Sequence, residues 1–83
     1  MSVTLMFFGR LRERAGRSSV HLTLPDHVSD TTALRRWADQ HCGLDGALLS
    51  TSVQIAVNEE IAHGGCPVRA GDEIAFMPPV SGG

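Results

Sequence analysis

Two segments of this chain carry the period of a strand and are apolar on both faces, "VTLMFF" near its beginning and "EIAFM" near its end. Val3, Leu5 and Phe7 alternate with Thr4, Met6 and Phe8, while Ile74 and Phe76 alternate with Ala75 and Met77. A strand with two apolar faces belongs in the interior of a sheet. Two such strands at opposite ends of one chain are expected side by side at the centre. Everything between them must then cross over, which makes the central pair parallel. At 83 residues the chain suffices for one domain with one modest core.

The intervening residues supply the crossover. Gly9 ends the first strand, and "RLRERAGRSS" reads as a polar connection with one helical turn before Gly16. Val20, Leu22 and Leu24 then alternate with polar neighbours until Pro25, giving a second strand, apolar on one face and antiparallel to the first. "SDTTALRRWADQHCG" carries helix signals in order: Ser29, Asp30 or Thr31 as N-cap, an apolar stripe at Leu34, Trp37, Ala38 and His41, and Gly43 as the stop. Trp37 is expected in the core on that stripe. "LDGALLSTS" reads as a loose stretch. Val53, Ile55 and Val57 form a third strand, Asn58 and Glu59 a tight turn, Glu60 to Ala62 a short return strand, and Ala70, Gly71 and Asp72 the turn into the last strand. One helix laid across a mixed sheet in this order is an α+β arrangement, that of a ubiquitin-like β-grasp domain over residues 1–77, followed by an extended, flexible tail over 78–83.

Several function classes have no support in the residues. The net charge is −2, and Arg10, Arg12, Arg14 and Arg17 are interrupted by Glu13 with no aromatic residue among them to stack on bases, so nucleic acid is not an expected partner. The opening "MSVTLMFF" is too short to span a bilayer and lacks a basic leader, so neither membrane nor export is expected, and the cytoplasm is. Cys42 and Cys66 are not in CxxC spacing and read as free packing thiols. His21, His27, His41 and His63 are scattered, and no metal site is expected.

The end of the chain, "PPVSGG", is the segment the core does not use. Pro78 and Pro79 cannot donate to a ladder and hold the chain extended, so it leaves the sheet there. Val80 and Ser81 follow, and Gly82 and Gly83 strip the last positions of side chains, leaving a filament thin enough for a narrow passage. A carboxylate there is a poor electrophile until an oxygen becomes a leaving group, as in an acyl-adenylate. A lysine attacking that adenylate would give an isopeptide, and sulfide or a persulfide a thiocarboxylate. Fraying without function is the plain alternative.

"LMFFGRLRERAG", "VNEEIA" and above all "GDEIAFMPPVSGG" resemble the MoaD/ThiS family of sulfur carriers, in particular its molybdopterin synthase small-subunit branch, across essentially the whole chain. The resemblance implies that Gly83, with Gly82 before it, is the reacting end. ATP is used by a ubiquitin-activating-like adenylyltransferase, a sulfur donor then makes the thiocarboxylate, and the tail enters the large synthase subunit. There the sulfur passes to a cyclic pyranopterin phosphate to build the molybdopterin dithiolene, in an assembly of two small and two large subunits. No cofactor is expected to be bound by the carrier itself. Strand parity places Phe8 and Met77 on the face away from the helix, the resemblance adds Ile61, and Arg12 is expected at the rim, so that Phe8, Arg12, Ile61, Met77, Pro78, Pro79, Val80 and Ser81 are the expected partner-binding residues. Met77 stands where the family commonly has an aromatic residue, and keeps the surface apolar. A carrier for thiamine or another sulfur-containing product, and a ubiquitin-like protein modifier, remain alternatives.

Overall fold

In the computed structural model, residues 1–79 are described. Five strands form one mixed sheet in the order β2-β1-β5-β3-β4. They are β1 (Ser2–Phe7), β2 (Ser19–Thr23), β3 (Gln54–Val57), β4 (Glu60–Ile61) and β5 (Glu73–Met77), with helices α1 (Arg10–Ala15) and α2 (Thr31–His41). β1 and β5 pair in parallel at the interior, with Leu5 opposite Ile74 and Phe7 opposite Phe76. β2 joins β1, and β3 joins β5 and β4, all antiparallel. This is the β-grasp arrangement expected from the two-faced apolar segments.

One face of the sheet packs on α2. Val3, Leu5, Ile74 and Phe76 are 0 % exposed there, together with Leu34 and Ala38 of the helix. The rings of Phe7 and Phe76 stack at 5.8 Å between centroids across the parallel pair. Burial of each of these large side chains contributes about 1.5–3 kcal/mol, which is what holds two strands from opposite ends of the chain together. Asp30 is the N-cap of α2, its Oδ1 accepting the Ala33 amide at 2.8 Å.

The helix differs from its sequence reading on one side. Trp37 is half-buried, packed against the core at its margin and stacked on an exposed His41 at 4.5 Å, while the fully buried stripe runs through Thr31, Leu34 and Ala38, with Asp39 beside it. Asp39 joins the buried side of the helix. Its carboxylate is buried because it accepts the Gly46 amide at 2.8 Å and the Leu48 amide at 3.0 Å, which ties the helix to the following turn. That turn is a single 3₁₀ turn at Ala47–Leu49, not a loose stretch, and it buries Leu44 and Leu48 completely. Likewise the polar connection after β1 is a full helix, α1, anchored by a buried Leu11 and ended by Gly16, whose amide bonds Arg12 C=O at 3.0 Å with φ 77°.

Candidate functional site

Among the described residues no helix packs on the second face of the sheet, and the strand registers compose its surface. Met6 pairs with Ala75, Ala75 with Ala56, and Ala56 with Ile61, so one apolar row crosses four strands. The next row, toward the end of β5, holds Met77 and, by continuation of the β1 register, Phe8. Thr4, His21 and Glu73 bound the rows on one side and Gln54 on the other. Phe8 is 47 % exposed and Ile61 42 % exposed, while Met6 and Met77 are half-buried. Ala56 and Ala75 make a shallow floor between these larger side chains. Such a contiguous apolar surface rimmed by polar residues is the form of a contact site.

The root of the tail opens at this surface. Met77 ends β5, and the Phe8 amide donates to Phe76 C=O at 3.2 Å, so the end of β1 and the end of β5 stay in register. Pro78 lies over Gly9, where an added Cβ would come within 2.8 Å of Pro78 Cγ. Gly9 also holds φ 57° and ψ −133°, a conformation that side chains reject, and it turns the chain directly into α1. Arg12 is exposed on α1, its amide bonded to Gly9 C=O at 3.1 Å, one turn from the same root. Pro79 is exposed. Val80, Ser81, Gly82 and Gly83 lie outside the described residues.

Sequence reasoning did not find Met6 and Ala56, and it assigned Ala75 to this face without counting it in the surface. The signal for Met6 was present, since β1 alternates between two apolar faces. For Ala56 there was none, because a small residue in a short strand says nothing of its neighbours until register is known.

The opposite end of the sheet is polar and firmly built. Asn58 at φ 51° and Glu59 at φ 73° make the β3–β4 turn. Asn58 Nδ2 donates to Asp72 Oδ1 at 2.9 Å and its Oδ1 accepts the Glu73 amide at 3.0 Å, which clamps the turn onto the start of β5. The Arg69 amide, and then the Asn58 amide group, hold the Asp72 carboxyl below its usual range. Elsewhere burial pushes the Cys42 thiol up, with Arg17 opposing that shift and Asp39 adding to it. A raised thiol is a poor nucleophile near neutral pH. Among the described residues no group of three or more His, Cys, Asp or Glu side chains is placed to hold a metal ion, and no helix is long and apolar enough to cross a membrane.

Several known proteins resemble this chain over essentially its whole length. The model of the ThiS family matches residues 5–83. The chain is 31 % identical to the molybdopterin synthase sulfur carrier subunit of Haemophilus influenzae, over 98 % of this chain and 99 % of that protein. The crystal structure of SAMP1 from Haloferax volcanii superposes with a TM-score of 0.76 at 31 % identity, covering 100 % of both chains. A subunit from the complex of subunits 1 and 2 of the Helicobacter pylori molybdopterin-converting factor superposes with a TM-score of 0.70 at 27 % identity, again over 100 % of both chains.

Proposed function

This chain belongs to the ThiS family, and from that premise we propose that it is the sulfur carrier subunit of a molybdopterin synthase. The observation that carries the reading is the placement of the tail root. β5 ends at Met77 beside an uncovered apolar surface, and Pro78 and Pro79 follow at once. Together with full-length likeness to a sulfur carrier subunit, that placement suits a domain gripped by its sheet face while its end is offered to a partner.

The chemistry belongs to Gly83. Its carboxylate oxygen attacks the α-phosphate of ATP on an adenylyltransferase, giving an acyl-adenylate and releasing pyrophosphate. Hydrosulfide from a donor then attacks the carbonyl carbon, displaces AMP and, on losing its proton, leaves a thiocarboxylate. That sulfur is passed to a cyclic pyranopterin phosphate inside the large subunit, and two deliveries complete the dithiolene. Gly82 and Gly83 leave the reacting carbonyl unhindered. Phe8, Ile61 and Met77 fill the contact with the large subunit, Arg12 fixes its rim, and Pro78 to Ser81 lead the end into the active cleft. Two small and two large subunits make up the assembly, in the cytoplasm.

Intact mass after incubation with ATP, an adenylyltransferase of this family and a sulfide source tests the reading. The expected result is exchange of one oxygen for sulfur, mapped by fragmentation to Gly83 and absent in a chain lacking that residue. An unmodified end under conditions that sulfurate a known carrier overturns it. The likeness to the small archaeal modifier protein 1 of H. volcanii, over 96 % of this chain, favours a second reading, conjugation through Gly83 to lysines of other proteins. Isopeptide-linked adducts in cells, without a thiocarboxylate on the free chain, would select it.

A further inference from the structure

Among the described residues β2 is the longer edge of the sheet, with β1 as its sole neighbour. Two bonds set the phase of that ladder: Phe7 N–H to Ser18 C=O at 2.9 Å, and Leu24 N–H to Met1 C=O at 2.7 Å. With Val3 opposite Leu22 and Leu5 opposite Val20, the β2 residues that exchange bonds with β1 are Val20 and Leu22, continued by Ser18 and Leu24. The amides and carbonyls of Ser19, His21 and Thr23 therefore point away from the sheet. Among the described residues no loop or helix reaches them with a main-chain hydrogen bond.

Exposed edges are ordinarily blunted by a charge, a proline, a bulge or brevity. Ser19–Thr23 has none of these: the sequence is SVHLT and the register runs unbroken over five pairs. The opposite edge, β4, is protected by being two residues long. The side chains beneath the β2 edge are also short of cover. Val20 and Leu22 face the helix side, yet they are only half-buried where their partners Leu5 and Val3 are 0 % exposed. They line an open cleft with Ala15, Arg17, His41 and Cys42.

The edge is its own complement. Laid antiparallel on itself about His21, Ser19 meets Thr23 and Val20 meets Leu22, so hydroxyls pair on the outer face and apolar side chains pair on the inner one. We propose that β2 is a pairing site for a second copy of this chain, added antiparallel across a two-fold axis through His21. The result is one continuous sheet with both α2 helices on the same side and Val20 and Leu22 covered by their counterparts. β1 separates this edge from β5, so the surface formed by Phe8, Ile61 and Met77 and both tail roots stay free. A contact of one short strand is small, and the association is weak and concentration-dependent.

Sedimentation equilibrium from micromolar to millimolar concentration tests this. The weight-average mass is expected to climb from 8.9 kDa toward twice that value. His21→Pro deletes an amide that β1 does not use, so it should keep the fold and remain monomeric throughout. Ile61→Asp, on the outer face, should associate as the parent does. Independently of any variant, the amides of Ser19, His21 and Thr23 should gain protection from hydrogen exchange with concentration while other exposed amides do not. A parent chain that stays monomeric to millimolar concentration overturns the proposal. So does a dimer that survives His21→Pro, or one abolished by Ile61→Asp, or one that leaves those three amides unprotected.

Discussion

Gly9 shows how a single residue governs the geometry around the tail root. It combines a backbone conformation closed to side chains with a 2.8 Å approach of its virtual Cβ to Pro78 Cγ. Gly9→Ala is expected to cost about 1–3 kcal/mol, because it must relieve strain and clash at once. The readout is a lowered denaturation midpoint, with amide shifts concentrated at Phe8 and around Pro78. Gly9 was legible in the sequence only as the end of a strand. Its contact with a proline 69 positions later in the chain could not be read, since nothing local to either residue announces the other. Trp37 gives the converse lesson. Helical period put it at the core, where it packs half-buried, but the same period could not show that Asp39 is buried, since that depends on two amides beyond the helix.

At the scale of elements, α2 is held to the sheet by polar as well as apolar contacts. Thr31 is buried, and its hydroxyl donates to Gly64 C=O at 2.9 Å while accepting the Cys66 amide at 3.0 Å. Arg35 Nη1 donates to the carbonyls of Leu48, Ser50 and Val53, joining the helix to the entry of β3. Thr31→Val preserves shape but leaves a carbonyl and an amide without partners, so a loss of about 1–3 kcal/mol is expected. Chemical denaturation should show it as a lower midpoint with an unchanged slope. Strands and the main helix were readable because period and caps are local signals. The 3₁₀ turn at Ala47–Leu49 was not, because Leu48 within it and Leu44 just before it follow neither period, and their burial depends on elements distant in the chain.

Across the whole molecule the two faces of the sheet divide the work. One is closed by α2; the other keeps Met6, Phe8, Ile61 and Met77 in one apolar surface at the end where β5 leaves the sheet. If that surface is the grip for a large subunit, Ile61→Asp should change stability by no more than about 0.5 kcal/mol, since the side chain is exposed. It should also weaken binding to the cognate large subunit at least about tenfold. Thermal denaturation and isothermal titration calorimetry separate those effects, and a variant that binds normally would remove Ile61 from the interface. The sequence by itself determined the order of elements, the inward parity of Val3, Leu5, Phe7, Ile74 and Phe76, and the parallel centre, because hydrophobic period and the two-faced character of the end strands are properties of short segments. Only the tertiary structure decided which outward residues became neighbours. The row from Met6 through Ala75 and Ala56 to Ile61 depends on register among strands far apart in the chain, and that register is set by packing over the whole core.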